Sequence, residues 1–242
     1  MMKAKYKRIL LKLSGESLMG KGDFGICQDT LGFVGDEIKK LVATGAQIGV
    51  VIGAGNIFRG VSMASKGMNR VAADNMGMLA TVMNALALEA AFNKQGIETR
   101  VMSSIAMPQV CESYSRQRAE HHLNRDRVVI FGAGSGNPYF TTDTAAVLRG
   151  LEIGAEVVMK ATRVDGVYDR DPLKDPQAVK FDALSYSETL QRRLKVMDST
   201  AISLAMDNDI KIMVFNLHIK NSIADAVCGQ NIGTIIQGDS DE

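Results

Sequence analysis

RVVIFGAGSGNPYFTTDTAAVLRG, from Arg127 to Gly150, begins as an apolar run, breaks into a glycine-rich loop and reopens as a helix behind Thr141 and Thr142, with Asp143 in its first turn. A buried strand, a glycine loop and a capped helix in that order form the parallel α/β unit with which a backbone holds phosphate. Two earlier segments repeat the pattern: ILLKLSGES at Ile9 to Ser17 and GVVIGAGNIFRG at Gly49 to Gly60. Three such loops at the ends of neighbouring parallel strands converge on one crevice. Their glycines let backbone N–H groups approach oxyanions closely, and a helix N-terminus behind them adds a favourable dipole.

Working outward, short apolar runs at Ile9 to Leu13, Gln47 to Ile52, Glu98 to Met102, Arg127 to Phe131, Glu156 to Met159 and Lys211 to Phe215 read as buried strands. Between them lie helical patterns at Asp29 to Thr44, Val71 to Gln95, Ser115 to Asn124, Thr142 to Ile153 and Ser199 to Asn208, the long ones closed by glycine. Alternating strands and helices predict a three-layer α/β/α sandwich with a mainly parallel central sheet. We expect a single domain over residues 1–242 with two lobes. The Val71 to Gln95 helix carries Met76, Met78, Leu79, Val82, Met83, Leu86 and Leu88, so it must be covered on two sides, as a core helix or at a subunit interface. Regularity breaks at GKGDFG, Gly20 to Gly25, and at DGVYDRDPLKDP, Asp165 to Pro176, the second an ordered functional loop rather than a linker.

The 242 residues, 46% of them hydrophobic, suffice for a sizeable core. A net charge of +1 provides no global field for nucleic acid or a membrane surface, so any anion is caught locally and the partner is small. Cys27, Cys111 and Cys228 are odd in number and form no C-x-x-C pair, which argues against a disulfide framework and zinc and fits a reducing cytoplasm. The basic start MMKAKYKRILLKLSGES has Lys12 inside its apolar run and no small-residue cleavage site. No segment reads as long enough to span a bilayer.

Familiar nucleotide fingerprints fail: there is no Walker A loop, and Tyr139 occupies the last glycine position of a G-x-G-x-x-G. What remains is a set of dispersed cations, Lys12 ending the first strand, Arg59 after the second glycine turn and Lys160 ending EVVMK. Transfer between two phosphates is mostly a matter of bringing anions together and neutralising the charge that develops between them, which lysines on separate strand ends can do. Two readings stand for Asp143: a carboxylate that orients lysines or a metal, or plain capping chemistry in a good helix start. Lys12, between Leu11 and Leu13, faces opposite to them and is either a solvated lysine or, with Ser14 and Gly15 following, a site residue. Thr162 shares with Lys160 the end of a buried strand. Asp165, Asp169 and Asp171 lack the calcium-loop pattern and read as turn formers. His121, His122 and His218 have no ligand partners at suitable spacing and read as surface or structural residues. No histidine base accompanies Ser135, which disfavours a hydrolase.

KRILLKLSGE, VVIGAGNIFRG, MNRVAADNMGMLATVMNALA, GSGNPYFTTDTAA, MKATRVDGVYDRDP and LKVMD, taken in order, resemble the bacterial UMP kinases (uridylate kinases) of the amino acid kinase family, over nearly the whole chain. The resemblance implies the amino acid kinase fold, with an N-terminal acceptor-nucleotide lobe and a C-terminal ATP lobe. It implies ATP-dependent phosphorylation of UMP to UDP with Mg2+. By matching motif, Lys12, Leu13, Ser14 and Gly15 would contact ATP phosphates, Gly55 and Arg59 would lie at the phosphates, and Thr162, Tyr168 and Asp171 would line the ATP side. Ala54 and Asp74, with Ser135, Gly136, Asn137, Pro138, Tyr139, Phe140, Thr141 and Thr142, would hold UMP. Gly20, Lys21, Gly22, Asp23, Phe24 and Gly25 would belong to a GTP-responsive region. The family also implies a homohexamer activated by GTP and inhibited by UTP. Two departures stand out: Ala54 where the family usually has glycine, and Ser135 where threonine is common.

Within that reading Lys12 and Lys160 stabilise the transferring phosphoryl group, Asp143 orients them and Arg59 holds the acceptor phosphate. An amino acid kinase acting on a carboxylate, or a uridine-nucleotide sensor without catalysis, remain the alternatives. A nicotinamide oxidoreductase is disfavoured by the failed glycine spacing.

Overall fold

The apolar runs become strands at the centre of a sheet, and the capped amphipathic segments between them become the helices that cover it. A computed structural model describes residues 3–58, 67–230 and 232–238. In chain order these form β1 (Arg8–Leu13), a 3-10 turn at Gly15–Leu18, α1 (Gln28–Val42), β2 (Gln47–Ile52), α2 (Arg70–Lys94), β3 (Thr99–Ser103), β4 (Glu112–Ser113) and α3 (Arg116–Leu123). There follow β5 (Val128–Gly132), α4 (Thr142–Glu152), β6 (Val157–Thr162), β7 (Val167–Tyr168), β8 (Lys180–Phe181), β9 (Ala183–Ser185), α5 (Tyr186–Gln191), α6 (Ser199–Asp207), β10 (Lys211–Asn216), α7 (Ser222–Val227) and β11 (Thr234–Gln237).

Among the described residues the main sheet has the order β4-β3-β5-β2-β1-β6-β10-β11-β9. Pairs from β4 to β10 are parallel; β11 runs antiparallel to β10, and β9 runs parallel to β11. The short strands β7 and β8 pair separately. Strand alternation divides the core in two. Ile9, Leu11, Ile48 and Val50 pack on one face with Val34 and Ile38 of α1, Leu88 and Phe92 of α2 and Ile223 of α7. Leu10, Val51, Val129 and Val158 pack on the other face with Leu123 of α3, Val147 of α4 and Ile202 of α6. These are the three layers expected of the sequence.

Helix ends follow their capping residues. Asn69 accepts from the N–H of Ala72 at the start of α2, and Gly45 and Gly96, at φ +82° and +79°, close α1 and α2. Contrary to the sequence expectation, α2 is long and apolar enough by length and composition to cross a membrane. Its inner side, with Ala73, Ala85, Leu88 and Phe92, is buried against the sheet and α1, as in a core helix. Its outer side exposes Met76, Leu79 and Met83. The inner side meets the core-helix reading, and the outer side stands uncovered.

Candidate functional site

Three strand ends meet at the carboxyl edge of the sheet. In the parallel register of β1 and β6, Lys12 lies directly opposite Lys160. Lys12 follows Leu10 on the α4 face, where the first turn of α4 presents Asp143. The Lys12 ammonium lies 2.7 Å from Asp143 Oδ1, and Lys160 Nζ donates to Oδ2 at 2.7 Å. Lys160 also donates to the carbonyl of Val196. Lys12 is only 8% exposed, which rules out the solvated-lysine reading.

Burial pushes the Asp143 carboxyl up, but the two ammonium groups outweigh it and hold it below the usual aspartate value. Burial, and Lys12 alongside, pull Lys160 below the ordinary lysine value, against the attraction of Asp143. Two ammonium groups share the Asp143 carboxylate, with Asp198 also acting on Lys160, and the pair of cations is suited to meeting a phosphate. The plain-capping reading of Asp143 is not met, because the capping side chain of α4 is that of Thr141. Thr141 caps α4 by accepting from the Asp143 N–H at 3.0 Å, while the carboxylate itself goes to the lysines.

The glycine turn Gly53 to Gly55 closes over this end, with the Gly53 N–H donating to the Leu13 carbonyl at 2.9 Å. A side chain on Gly15 would fall 2.6 Å from the Gly53 carbonyl oxygen, so only glycine fits there. Leu13 buries its side chain in the core and can meet a ligand only through its backbone. Ala54 is not among the residues with positive φ, so its methyl sits without backbone strain. Arg59 lies outside the described residues.

On one side stands the loop after β5. Ala133, Gly134, Gly136 and Tyr139 all have positive φ, at +59°, +54°, +81° and +72°. Strain at two non-glycine positions requires anchors. The Ala133 N–H donates to Thr81 Oγ1 at 2.8 Å, and the Tyr139 N–H donates to Asp74 Oδ2 at 2.8 Å. Arg70 donates to the same carboxylate oxygen at 2.7 Å and lies over the Tyr139 ring. Asp74 and the loop, far apart in sequence, are thus brought together. Ser135 and Asn137 bond to one another, and Tyr139 and Phe140 remain exposed. Thr142 lies next to the Gly53 turn.

On the other side is a cavity of about 650 Å³ lined by Lys12, Ser14, Lys160, Thr162, Tyr168 and Asp171, with apolar walls from Val164, Val167, Leu194 and Val196. Within the Asp165 to Pro176 loop, Tyr168 donates to Asp165 at 2.6 Å and Arg170 pairs with Asp169 and Asp175, which fits the reading of an ordered loop. A second cavity of about 1290 Å³ is lined by Gly20, Lys21, Gly22, Asp23 and Phe24 together with Gly55 and Asn56. Gly25 bonds to Asn56 at its edge.

Sequence reasoning assigned no role to Asp198. It caps α6, accepting from the Ala201 N–H at 2.8 Å, and also accepts from the hydroxyls of Thr141 and Thr144. It therefore fixes the start of α4, and Val196 two residues earlier fixes Lys160. The D-S-T start of a helix was the available signal. His122 is structural: it is nearly buried and bonds to Glu112 at 3.1 Å.

A sequence model of the amino acid kinase family matches residues 7–216. The chain is similar to a UMP kinase from Bacillus anthracis of known crystal structure, at 37% identity over 97% of each chain with a TM-score of 0.93. A UMP kinase from Ureaplasma parvum is 35% identical over 98% of this chain and 100% of that one, with a TM-score of 0.89. A uridylate kinase from Archaeoglobus fulgidus is 28% identical over 94% and 99% of the two chains, with a TM-score of 0.73.

Proposed function

The chain belongs to the amino acid kinase family, and on that premise we propose that it is a UMP kinase, transferring the γ-phosphoryl group of ATP to UMP to give UDP and ADP for pyrimidine nucleotide synthesis. The observation that carries this reading is the Lys12–Asp143–Lys160 cluster, set between a cavity of nucleotide size and the loop that Asp74 anchors. Two similar crystal structures at 35–37% identity over nearly the whole chain are UMP kinases.

ATP occupies the 650 Å³ cavity, its base against the apolar walls and its phosphates toward Lys12, Ser14 and Gly15. UMP lies on the other side, with its ribose at Asp74, its uracil along Ser135 to Thr142 and its phosphate at Ala54, Gly55 and Arg59. The single domain therefore divides into an N-terminal acceptor lobe and a C-terminal ATP lobe. The acceptor is an already ionised phosphate oxygen, so no general base is needed. Catalysis rests on placement and on charge neutralisation by groups fixed before the reaction begins. Lys12 and Lys160 meet the equatorial oxygens of the transferring group, and Asp143 holds both ammonium groups in place.

Mg2+ would be carried by the ATP phosphates. No cluster of three His, Cys, Asp or Glu side chains that could hold a metal occurs among the described residues, and Mg2+ commonly binds through substrate phosphates plus one or two carboxylates. When bound it would neutralise part of the phosphate charge.

Self-association is supported by the outer face of α2, where Ala72, Met76, Leu79 and Met83 stand exposed at spacings of four, three and four, as in a short coiled-coil seam. A homohexamer, with GTP acting through Gly20 to Gly25 as activator and UTP as inhibitor, completes the reading. Cytoplasmic placement accords with three free cysteines.

An assay offering ATP with UMP, CMP, aspartate or acetylglutamate decides among acceptors. UDP formation is expected; turnover of a carboxylate acceptor instead, or UMP binding without ATP consumption, would overturn the proposal.

A further inference from the structure

Asn56 and Asn84 form a closed amide pair in the protein interior, 1% and 0% exposed. Asn56 Nδ2 donates to Asn84 Oδ1 at 2.9 Å, and Asn84 Nδ2 donates back to Asn56 Oδ1 at 2.7 Å. The second hydrogen of each amide is also used. Asn84 donates to the Gly53 carbonyl at 2.8 Å and Asn56 to the Gly25 carbonyl at 2.9 Å. Gly25 answers through its own N–H, which donates to the Asn56 carbonyl at 2.8 Å.

Asn84 stands among apolar neighbours on α2, where leucine or alanine would make the better helix. A buried polar network with every donor satisfied contributes positional definition, because a displaced member leaves an unpaired group in a low dielectric. The geometry locates what is being defined. A side chain on Gly15 would fall 2.6 Å from Asn56 Oδ1, so the amide pair abuts the exit of β1 three residues beyond Lys12.

We propose that Asn56 and Asn84 are positioning residues for phosphoryl transfer: their amide pair locks the Gly53 to Gly55 turn against the β1 exit and fastens the Gly20 to Gly25 loop to the same turn. The proposal rests on reading the site as a phosphotransferase. It gives the loop at the large cavity a direct mechanical link to the phosphates. The link runs from Gly25 through Asn56 to the glycine turn, with α2 as the fixed support.

The test combines kinetics with amide hydrogen exchange in the ligand-free chain. Asn84→Ala is expected to lower kcat by on the order of ten- to a hundredfold, as displacement of a positioning group does, with KM for ATP changed by less than about twofold. Exchange is expected to rise together in residues 20–27 and 53–58. Leu88→Ala, a buried truncation on the same helix, controls for lost stability: its exchange should rise across the chain without singling out residues 20–27 and 53–58, and its kcat should stay near wild type. Asn56→Ala leaves α2 intact and should reproduce the effect should Asn84→Ala fold poorly. Wild-type kcat with unchanged exchange in both segments would overturn the proposal, as would an equal loss of kcat in Leu88→Ala. If the wild-type chain makes no UDP, the acceptor reading fails, and the exchange comparison by itself decides the clamp.

Discussion

Lys12 on β1 and Lys160 on β6 are directly opposed in parallel register, and both ammonium groups close on the single carboxylate of Asp143 at 2.7 Å. Neither strand needs distortion to do this, because opposed residues of neighbouring parallel strands already project from the same face. Asp143 can reach both because α4 begins where that face ends. Removing one lysine leaves a paired carboxylate, whereas removing the carboxylate leaves two ammonium groups facing each other with little water to screen them.

Asp143→Asn is therefore expected to destabilise the fold as well as the reaction. Breaking a buried ion pair by removing one partner costs about 3–5 kcal/mol. Thermal unfolding should show a clear drop in Tm, and initial rates should fall by about a hundredfold or more. An unchanged Tm would mean that the lysines do not depend on Asp143.

Turnover should fail on the alkaline side earlier than an ordinary lysine would permit. Burial and Lys12 hold the Lys160 ammonium below the ordinary lysine value. Between its folded and unfolded values the unfolded chain binds more protons, so the contribution of this group to stability rises with pH while its catalytic charge disappears. A pH profile of kcat set beside denaturant unfolding over the same range should show activity falling without loss of stability from this group. The acid side has the opposite cause. The depressed Asp143 carboxyl contributes stability that is fully present above about pH 4, the unfolded aspartate value, and is lost as pH falls through its lower folded value.

Met83→Glu, on the exposed seam of α2, should reduce the size of the assembly in sedimentation without unfolding the chain. Surface substitutions of this kind usually change stability by less than about 0.5 kcal/mol. A Met83→Glu chain that sediments like wild type would remove this face from the assembly.

Ala54→Gly should leave turnover unchanged within about twofold, since the alanine already sits at a φ without strain. It should cost up to about 1 kcal/mol through the extra freedom of the unfolded chain. A large gain in turnover would show that the methyl crowds a ligand.

Much of the fold was legible in the sequence, because buried parallel strands such as Val128–Gly132 carry unbroken apolar runs and helices such as Arg70–Lys94 carry strong caps. The site was legible where alternation and glycine fixed it: Lys12 faces α4 as its position between Leu11 and Leu13 requires. The sheet edge was not. β9 and β11 have three and four residues, and their pairing comes from tertiary contact rather than local pattern. The start of α5 did carry a signal, since Ser185 and Glu188 have the S-x-x-E spacing and Ser185 caps the Glu188 N–H. The capping role of Asp198 was legible in the D-S-T start, but its hold on the start of α4 was not, because that lies in Thr141, 57 residues away.

The most direct test of the account is UDP formation from UMP and ATP by the wild-type chain and by Lys12→Met, measured side by side at matched folded concentration. The wild type should form UDP, and Lys12→Met, still folded around the Asp143–Lys160 pair, should be slower by about a hundredfold to a thousandfold, the usual cost of removing one transition-state donor. Wild-type rates in a folded Lys12→Met chain would contradict the assignment of phosphoryl transfer to this lysine pair.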